Sequence, residues 1–444
     1  MKRRFPHPLV LLTLCIFLVA GLSYLIPAGE FDRKTDPKTN REVVVAGTYH
    51  TTLPAPVNFW QAVLSIPRGM QDAASVIFLV FISGAAFGLV DQTGALRWGA
   101  TRLVSRLQNQ RIWVLPLVML FFGIGSAFIN IQEEIIPLVP VMLLLTRRMG
   151  YDRIVAVAVS IGAAAIGAAF SPYNPFQAII AQKIADVPLL SGMYFRLIFM
   201  ALALAFWIFW VIRYAQRTET EPDLSSDVHE GHSTRHALVL LLVLAVLGTY
   251  VVGILQFDWG FDELAGLYFL LGISAAALGR LSMKDTTDGF IKGLESMAFA
   301  GTLIGFARAI YVVMDQGHII DTIVNGLFAP IGHLPVQISA LVMMVLQGAL
   351  HFVVPSVSGQ AVLTMPVLAP LSDLLGMSRN VTIMAYHYGA GLAELLVPTN
   401  GALMAILAAS GVRFEDWIRF MVKPLVGLLV ISGAALLIGT LIGV

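Results

Sequence analysis

The sequence predicts an all-α polytopic membrane protein built from two inverted repeats, each containing a re-entrant hairpin and a broken transmembrane helix. Three observations predict it. Of the 444 residues, 57% are hydrophobic and only 12% charged, against roughly 25% charged in a soluble domain. Two stretches match without a gap at a fixed offset of 226 residues: Pro140 recurs as Pro366, Gly150 as Gly376, Arg153 as Arg379, Pro172 as Pro398 and Asn174 as Asn400. Each copy ends in a polar break inside an apolar helix, Ser171-Pro-Tyr-Asn174-Pro175 in one and Val397-Pro-Thr399-Asn400-Gly401 in the other. Each helix is expected to be interrupted at its middle. Paired broken helices in two halves point to a transporter binding site.

The elements follow in order. The apolar run from Pro8 to Pro27 follows Met1-Lys-Arg-Arg. It nears the ~20 residues needed to span, so it reads as a retained first helix and not a cleaved signal peptide. Further spans fall at about 73–93, 193–214, 237–256, 264–283, 297–314 and 423–444, with broken spans at 152–183 and 381–409, giving about nine full spans. Basic residues set the orientation. Lys2, Arg3 and Arg4 place the N-terminus in the cytoplasm. Arg97, Arg102, Arg106 and Arg111, then Arg213 and Arg217, then Arg280, Lys284, Arg413, Arg419 and Lys423 mark the later cytoplasmic loops. The C-terminus is then periplasmic or extracellular. The long loop from 28 to 72 carries both signs and obeys this rule weakly.

Segment 112–146 starts beside Arg111 and ends at Arg147-Arg148, so both of its ends read as cytoplasmic. Two crossings need roughly 40 residues, and 35 are present. A re-entrant hairpin, 112–147, fits both facts. Its tip is polar (Asn130, Gln132, Glu133, Glu134), which is tolerated only against protein or a wet cavity. Segment 335–375 is its counterpart, entering from outside with the tip Pro355-Ser-Val-Ser-Gly-Gln360. Residues 1–214 form the first repeat, 215–236 a cytoplasmic linker and 237–444 the second repeat. The span at 237–256 turns the second copy over. The linker's His229, His232 and His236 read as solvated rather than as metal ligands. The one cysteine, Cys15, excludes an internal disulfide and a cysteine metal cluster.

Chemistry concentrates at the breaks. Asn174 before Pro175 reads as an N-cap with a first-turn proline, and Asn400-Gly401 as its partner. Such half-helix ends suit a carboxylate. Carbonyls unpaired at the breaks, with Ser171, Thr399, Ser356 and Ser358, suit Na⁺ or proton-linked water. Glu133 and Glu134 are adjacent carboxylates in a membrane segment, where ionisable groups are costly and face a cavity. They suit cation coordination, proton coupling or an ammonium group. Glu394 ends its half-helix against the dipole and needs a role or a partner, Arg308 or a histidine. Arg308, His351 and His387 are read as the other intramembrane ionisable groups. The expected substrate contacts are Asn130, Glu133, Glu134, Ser171, Tyr173, Asn174, Ser356, Ser358, Thr399 and Asn400. Those expected for ion coupling are Glu133, Glu134, Ser171, Asn174, Glu394, Thr399 and Asn400.

Four segments carry a family resemblance: Gln132-Glu-Glu-Ile-Ile-Pro137; Asn174-Pro-Phe-Gln-Ala-Ile-Ile-Ala-Gln182 with Val187-Pro-Leu-Leu-Ser-Gly192; Pro355-Ser-Val-Ser-Gly-Gln360 with Thr364-Met-Pro366; and Val397-Pro-Thr-Asn-Gly401. Together they resemble the YfcC family, in the C4-dicarboxylate anaerobic carrier group of the ion transporter superfamily. The resemblance spans nearly the whole chain. It departs at Gln132, where the family pattern has alanine, and at Ser171-Pro-Tyr173, which is bulkier than the usual run of small residues. The resemblance implies a bacterial inner-membrane carrier, a homodimer with scaffold and moving parts, and 112–214 with 335–444 as the moving part. It implies either basic amino acids or C4-dicarboxylates as substrate.

Three acids against one mid-membrane arginine favour an amino acid, possibly a basic one, carried by symport or antiport with Na⁺ or H⁺ as coupling ion. A Na⁺- or H⁺-coupled C4-dicarboxylate or other small organic anion is the alternative. An intramembrane protease using Ser358 with His351 or His387, or a channel, is remote, because neither predicts duplicated broken helices. The expected partners are a small-molecule substrate, the lipid bilayer and a second copy of the chain. No cofactor, enzymatic activity or nucleic-acid partner is expected.

Overall fold

The computed structural model describes residues 8–36, 41–45, 47–96, 98–99, 102, 111–220, 233–257, 259–328, 330–331 and 334–444. Expectations resting on Lys2, Arg3, Arg4, Arg97, Arg106, His229 and His232 lie outside them. The described chain is mostly helical, as an apolar sequence requires where backbone groups have no water to pair with. Among the described residues, six helices are long and apolar enough to cross a membrane: α3 (Ala74–Gln92), α6 (Arg153–Phe170), α8 (Met193–Arg217), α10 (Phe261–Gly279), α11 (Met283–Gln316) and α17 (Phe414–Ile442).

The remaining helices are α1 (Pro8–Leu22), α2 (Phe59–Asp72), α4 (Val114–Ile129), α5 (Val139–Arg148), α7 (Ile180–Ile184), α9 (Ser233–Phe257), α12 (Ile320–Phe328), α13 (Val336–Leu350), α14 (Val357–Leu374), α15 (Arg379–Ala393) and α16 (Gly401–Ser410). A 3₁₀ turn, Glu133–Leu138, leads into α5, and a π turn, Pro175–Ile179, leads into α7.

The helices sort into two packing groups. In one, α1, α2 and α3 pack on α11, α3 also packs on α10, and α10 on α9. Small residues allow these crossings: a Cβ on Gly293 of α11 would stand 2.4 Å from Ala85 Cα of α3. In the other, α4, α8 and α15 pack on α6, α13 and α14 both pack on α15, α14 packs on α7, and α17 packs on α8 and α13. The groups meet where α16 crosses α11, where Glu133–Leu138 touches α3, and where β3 (Arg41–Val44) touches α14.

The two arginines that the repeat relates reach across to each other's half. Arg379, which starts α15, donates to the carbonyl of Ala185 at the end of α7 at 2.7 Å. Arg153, which starts α6, has its Nη1 where a Cβ on Gly411, at the end of α16, would stand 2.6 Å away. Positive charge at a helix C-terminus is favourable. Arg379 also hydrogen-bonds Asp373, which holds that exposed carboxyl below the usual carboxylate range.

Four features depart from the sequence reading. The described part of loop 28–72 contains strands: β1 (Gly29–Glu30) pairs antiparallel with β4 (His50–Thr51), and β2 (Arg33–Asp36) with β3. Residues 59–72 then form α2, whose capping box was present in the sequence. Asn58 Oδ1 accepts from Gln61 N, and Gln61 Oε1 accepts from Asn58 N, both at 2.9 Å. The helix α11 has 34 residues, about 51 Å at 1.5 Å per residue, and its exposed N-terminal half carries Lys284, Asp285, Asp288, Lys292 and Glu295. Lastly, the interruptions are off-centre. The 18-residue α6 precedes a five-residue π turn and the five-residue α7, and the 15-residue α15 precedes the 10-residue α16.

Candidate substrate site

The first break is tied to the end of α4 by side chains. Asn130 follows α4 with φ 55°, a left-handed conformation that asparagine tolerates better than most residues. Its Oδ1 accepts from Asn174 Nδ2 at 3.1 Å and Gln177 Nε2 at 2.7 Å. Asn174 Oδ1 caps the next segment by accepting from Gln177 N at 3.0 Å, and its Nδ2 also reaches Ser126 O at 3.1 Å. Ser171 Oγ donates to Ala127 O at 2.6 Å and accepts from the amides of Tyr173 and Asn174. The Tyr173 ring stacks on Phe128 at 5.1 Å. The Ser171 hydroxyl therefore joins two segments of backbone, the end of α4 and the break itself, with its bonding capacity taken up inside the protein.

The side chains of Gln177, His387 and Arg196 continue this network. Gln177 Oε1 pairs with His387 Nε2 at 2.7 Å, and Arg196 Nη2 donates to His387 Nδ1 at 2.6 Å and to Ser171 O at 3.0 Å. The guanidinium can only donate, so Nδ1 accepts and the imidazole proton sits on Nε2, facing the amide oxygen. All three side chains are buried.

The second break gathers acids. Gln132 Nε2 donates to Glu394 Oε2 at 2.6 Å, and Gln132 N donates to Glu134 Oε2 at 3.0 Å. Glu133 lies within electrostatic reach of Glu394, and Tyr250 of α9 lies within electrostatic reach of Glu134. The partner of Glu394 is thus Gln132, neither Arg308 nor a histidine. Arg308 instead bonds Asp72 and lies over the Tyr311 ring at 4.5 Å. Asn400 Oδ1 caps Leu403 N at 3.0 Å, while its Nδ2 donates to Glu394 O at 3.2 Å.

Two carbonyls beside the breaks have side-chain donors: Ser171 O takes Arg196, and Leu395 O takes Trp417 Nε1 at 2.8 Å. At the start of α14, Val357 O takes the Tyr386 hydroxyl at 2.7 Å. Exposing such groups without a donor in an apolar interior costs several kcal/mol.

The other hairpin-like pair, α13 and α14, is sealed by its own network. His351 Nδ1 pairs with Gln360 Oε1 at 3.1 Å, Gln360 Nε2 bonds the Gln347 carbonyl and side chain, and Gln347 Nε2 donates to Thr364 Oγ1 at 3.0 Å. Thr399 Oγ1 reaches Phe352 O at 3.4 Å. Ser356 caps Gly359 N at 3.2 Å. Ser356 and Ser358 line a cavity of about 580 Å³ with Arg33, Arg308, His318 and Asp321. The strands of loop 28–58 clamp this cavity's rim through Arg33 to Asp321 at 3.0 Å and Gly29 N to His318 O at 2.9 Å. Neither histidine hydrogen-bonds Ser358.

The expected site residues therefore fall into three places. Asn130, Ser171, Tyr173 and Asn174 lie at the first break; Glu133, Glu134, Glu394 and Asn400 gather at the second; Ser356 and Ser358 face the cavity, with Thr399 against the turn between α13 and α14. Sequence reading missed Arg196 and Gln177. The signal for Arg196 was a cation within an apolar span, masked by its place near the start of α8. Gln132 stood out as part of a polar tip and as a departure from a family pattern, not as a site residue, yet it bonds across the halves to Glu394.

Comparison with known proteins agrees on the class. The chain is 29% identical to a protein of Escherichia coli (strain K12) named "Putative basic amino acid antiporter YfcC", covering 98% of this chain and 96% of that one. It is 26% identical to an uncharacterized protein of Haemophilus influenzae over the same shares of the two chains. Among solved structures, the YdaH transporter of Alcanivorax borkumensis matches over 99% of both chains with 18% identity and a TM-score of 0.47. MtrF of Neisseria gonorrhoeae, from a class of antimetabolite efflux pumps, matches over 99% of this chain and 96% of its own with 15% identity and a TM-score of 0.44. The family profile of the C4-dicarboxylate anaerobic carriers matches residues 5–441, and the chain belongs to that family.

Proposed function

We propose that this membrane transporter is a secondary active carrier of a cationic amino acid, exchanged or co-transported by alternating access. One observation carries the reading: Glu134 and Glu394, from the two halves of the chain, are held together through Gln132, with Glu133 within electrostatic reach of Glu394. Acids inside membrane segments are expensive and are kept where they meet a cation or a cavity. The name of the Escherichia coli relative supports the same class of substrate. Na⁺ or H⁺ remains the proposed coupling ion, and no other cofactor enters.

In this reading the halves are inverted repeats, with α4–α5 and α13–α14 as re-entrant hairpins, the N-terminus in the cytoplasm and the C-terminus in the periplasm of a bacterial inner membrane. The reciprocal reach of Arg153 and Arg379 supports the duplication. The group around α11 is the scaffold, through which two copies associate, and the group around α6 and α15 moves. The three acids bind the substrate cation, Asn130, Asn174 and Asn400 hold the breaks in shape, and the Ser356–Ser358 cavity is an access vestibule.

Uptake into proteoliposomes tests this. Glu133→Gln, Glu134→Gln and Glu394→Gln should each lower lysine or arginine exchange at least about tenfold, the scale of losing a charge-assisted contact. Unchanged uptake and ion dependence in all three would sink the acid-based site. A second reading, a C4-dicarboxylate, is favoured by the family description, and it predicts succinate uptake with no response to lysine.

A further inference from the structure

We propose that Arg196 is the anchor for a carboxylate of the transported molecule, and that the site is dipolar, with this anchor at one end and Glu394 at the other. The inference rests on the carboxylate-bearing substrate proposed above and adds a residue and an orientation to it.

Arg196 is 1% exposed, in the first turn of α8. A guanidinium carries five N–H donors. Those of Nη2 are used by Ser171 O and His387 Nδ1, while Nε and Nη1 have no partner. Among the described residues, no carboxylate lies within 4.0 Å of it. A buried charge is normally paired, because leaving one uncompensated costs several kcal/mol. The groups around it cannot supply that pairing. His387 offers only its Nδ1 lone pair, with Nε2–H facing Gln177 Oε1, and Ser171 offers one carbonyl. Tyr388, which is within electrostatic reach and stacks on Phe170 at 4.5 Å, has a buried hydroxyl with no partner. Three orphan guanidinium donors and an orphan phenol are left for an anion with several acceptor oxygens.

A carboxylate fits this better than a simple halide, because planar oxygens match the guanidinium fork. The second pole follows from helix geometry. Glu394, the C-cap of α15, lies seven residues beyond His387 in helical conformation, so the two share one face with a rise of about 10 Å between them. Gln132 bonds Glu394 from the same tip that carries Asn130, which Gln177 links back to His387. The two poles thus belong to one continuous network, spaced for an elongated molecule with a carboxylate at one end and a cation at the other.

The test uses the purified full-length protein and thermal shift titrations with L-lysine, L-arginine, cadaverine, agmatine and succinate. The wild type should be stabilised by lysine and arginine, with cadaverine and agmatine, which lack the carboxylate, binding at least about tenfold more weakly. Arg196→Gln should bind lysine and cadaverine alike. Arg196→Lys keeps the charge, so it decides the matter if the glutamine variant does not fold; it should show a reduced preference for lysine. A wild-type preference surviving in both variants overturns the anchor while leaving the transporter reading intact. No response of the wild type to any carboxylated probe overturns both. A response to succinate and not to lysine overturns the dipolar arrangement.

Discussion

A methyl group on Gly167 has no room. It would stand 1.9 Å from the carbonyl oxygen of Gly123, where α6 crosses α4. Backbone, unlike the end of a flexible side chain, cannot rotate away, so the helices must separate. Gly167→Ala should then destabilise the protein by at least about 1–3 kcal/mol, the usual scale of overpacking. Gly248→Ala is the control, since nothing lies within 4 Å of that position. Thermal unfolding in detergent measures both. An unchanged midpoint for Gly167→Ala would mean the crossing is looser than these distances. The consequence reaches the site, because this crossing sets Asn130 beside Asn174 and Gln177.

At the scale of elements, the two asparagines that repeat are caps of unequal weight. Replacing a capping asparagine by alanine costs about 0.5–2 kcal/mol. Asn400→Ala loses the cap on Leu403 and one bond to Glu394 O. Asn174→Ala loses the cap on Gln177 and also the bonds to Ser126 O and Asn130 Oδ1, in a fully buried position. Unsatisfied buried groups add about 1–3 kcal/mol. Asn174→Ala should therefore be the more destabilising in chemical or thermal unfolding, and equal losses would contradict the tighter knitting of the first break.

These caps also show what sequence could reveal. The breaks, the helix pairs beside them and the acids were legible because they depend on local order: run length, an Asn-Pro step, adjacent glutamates. Arg196 was not, because its meaning depends on Ser171 and His387, 25 and 191 residues away in sequence. The α2 helix was passed over because it is amphipathic and too polar for a span, although Asn58 and Gln61 signalled its start.

For the whole molecule, the decisive question is whether the two packing groups move against each other. They meet where α16 begins on α11: a Cβ on Gly401 would stand 3.4 Å from Ile304 Cβ and 3.1 Å from Ile304 Cα. Disulfides need Cβ atoms roughly 3.5–4.5 Å apart, so a small adjustment lets cysteines at these positions bond. Cys15 is the single native cysteine, so Cys15→Ser gives a clean background for Ile304→Cys with Gly401→Cys. Mild oxidation should remove both free thiols and bring exchange in proteoliposomes down to background. Reduction should restore the rate, while each single-cysteine variant should ignore the oxidant. The arrest follows from the proposed motion: the second break is continuous with α16, so pinning Gly401 to α11 would hold Glu394 and Asn400 on one side of the barrier. Full transport by the oxidised double variant would show that α16 and α11 travel together, and the boundary between moving and fixed parts would have to be drawn elsewhere.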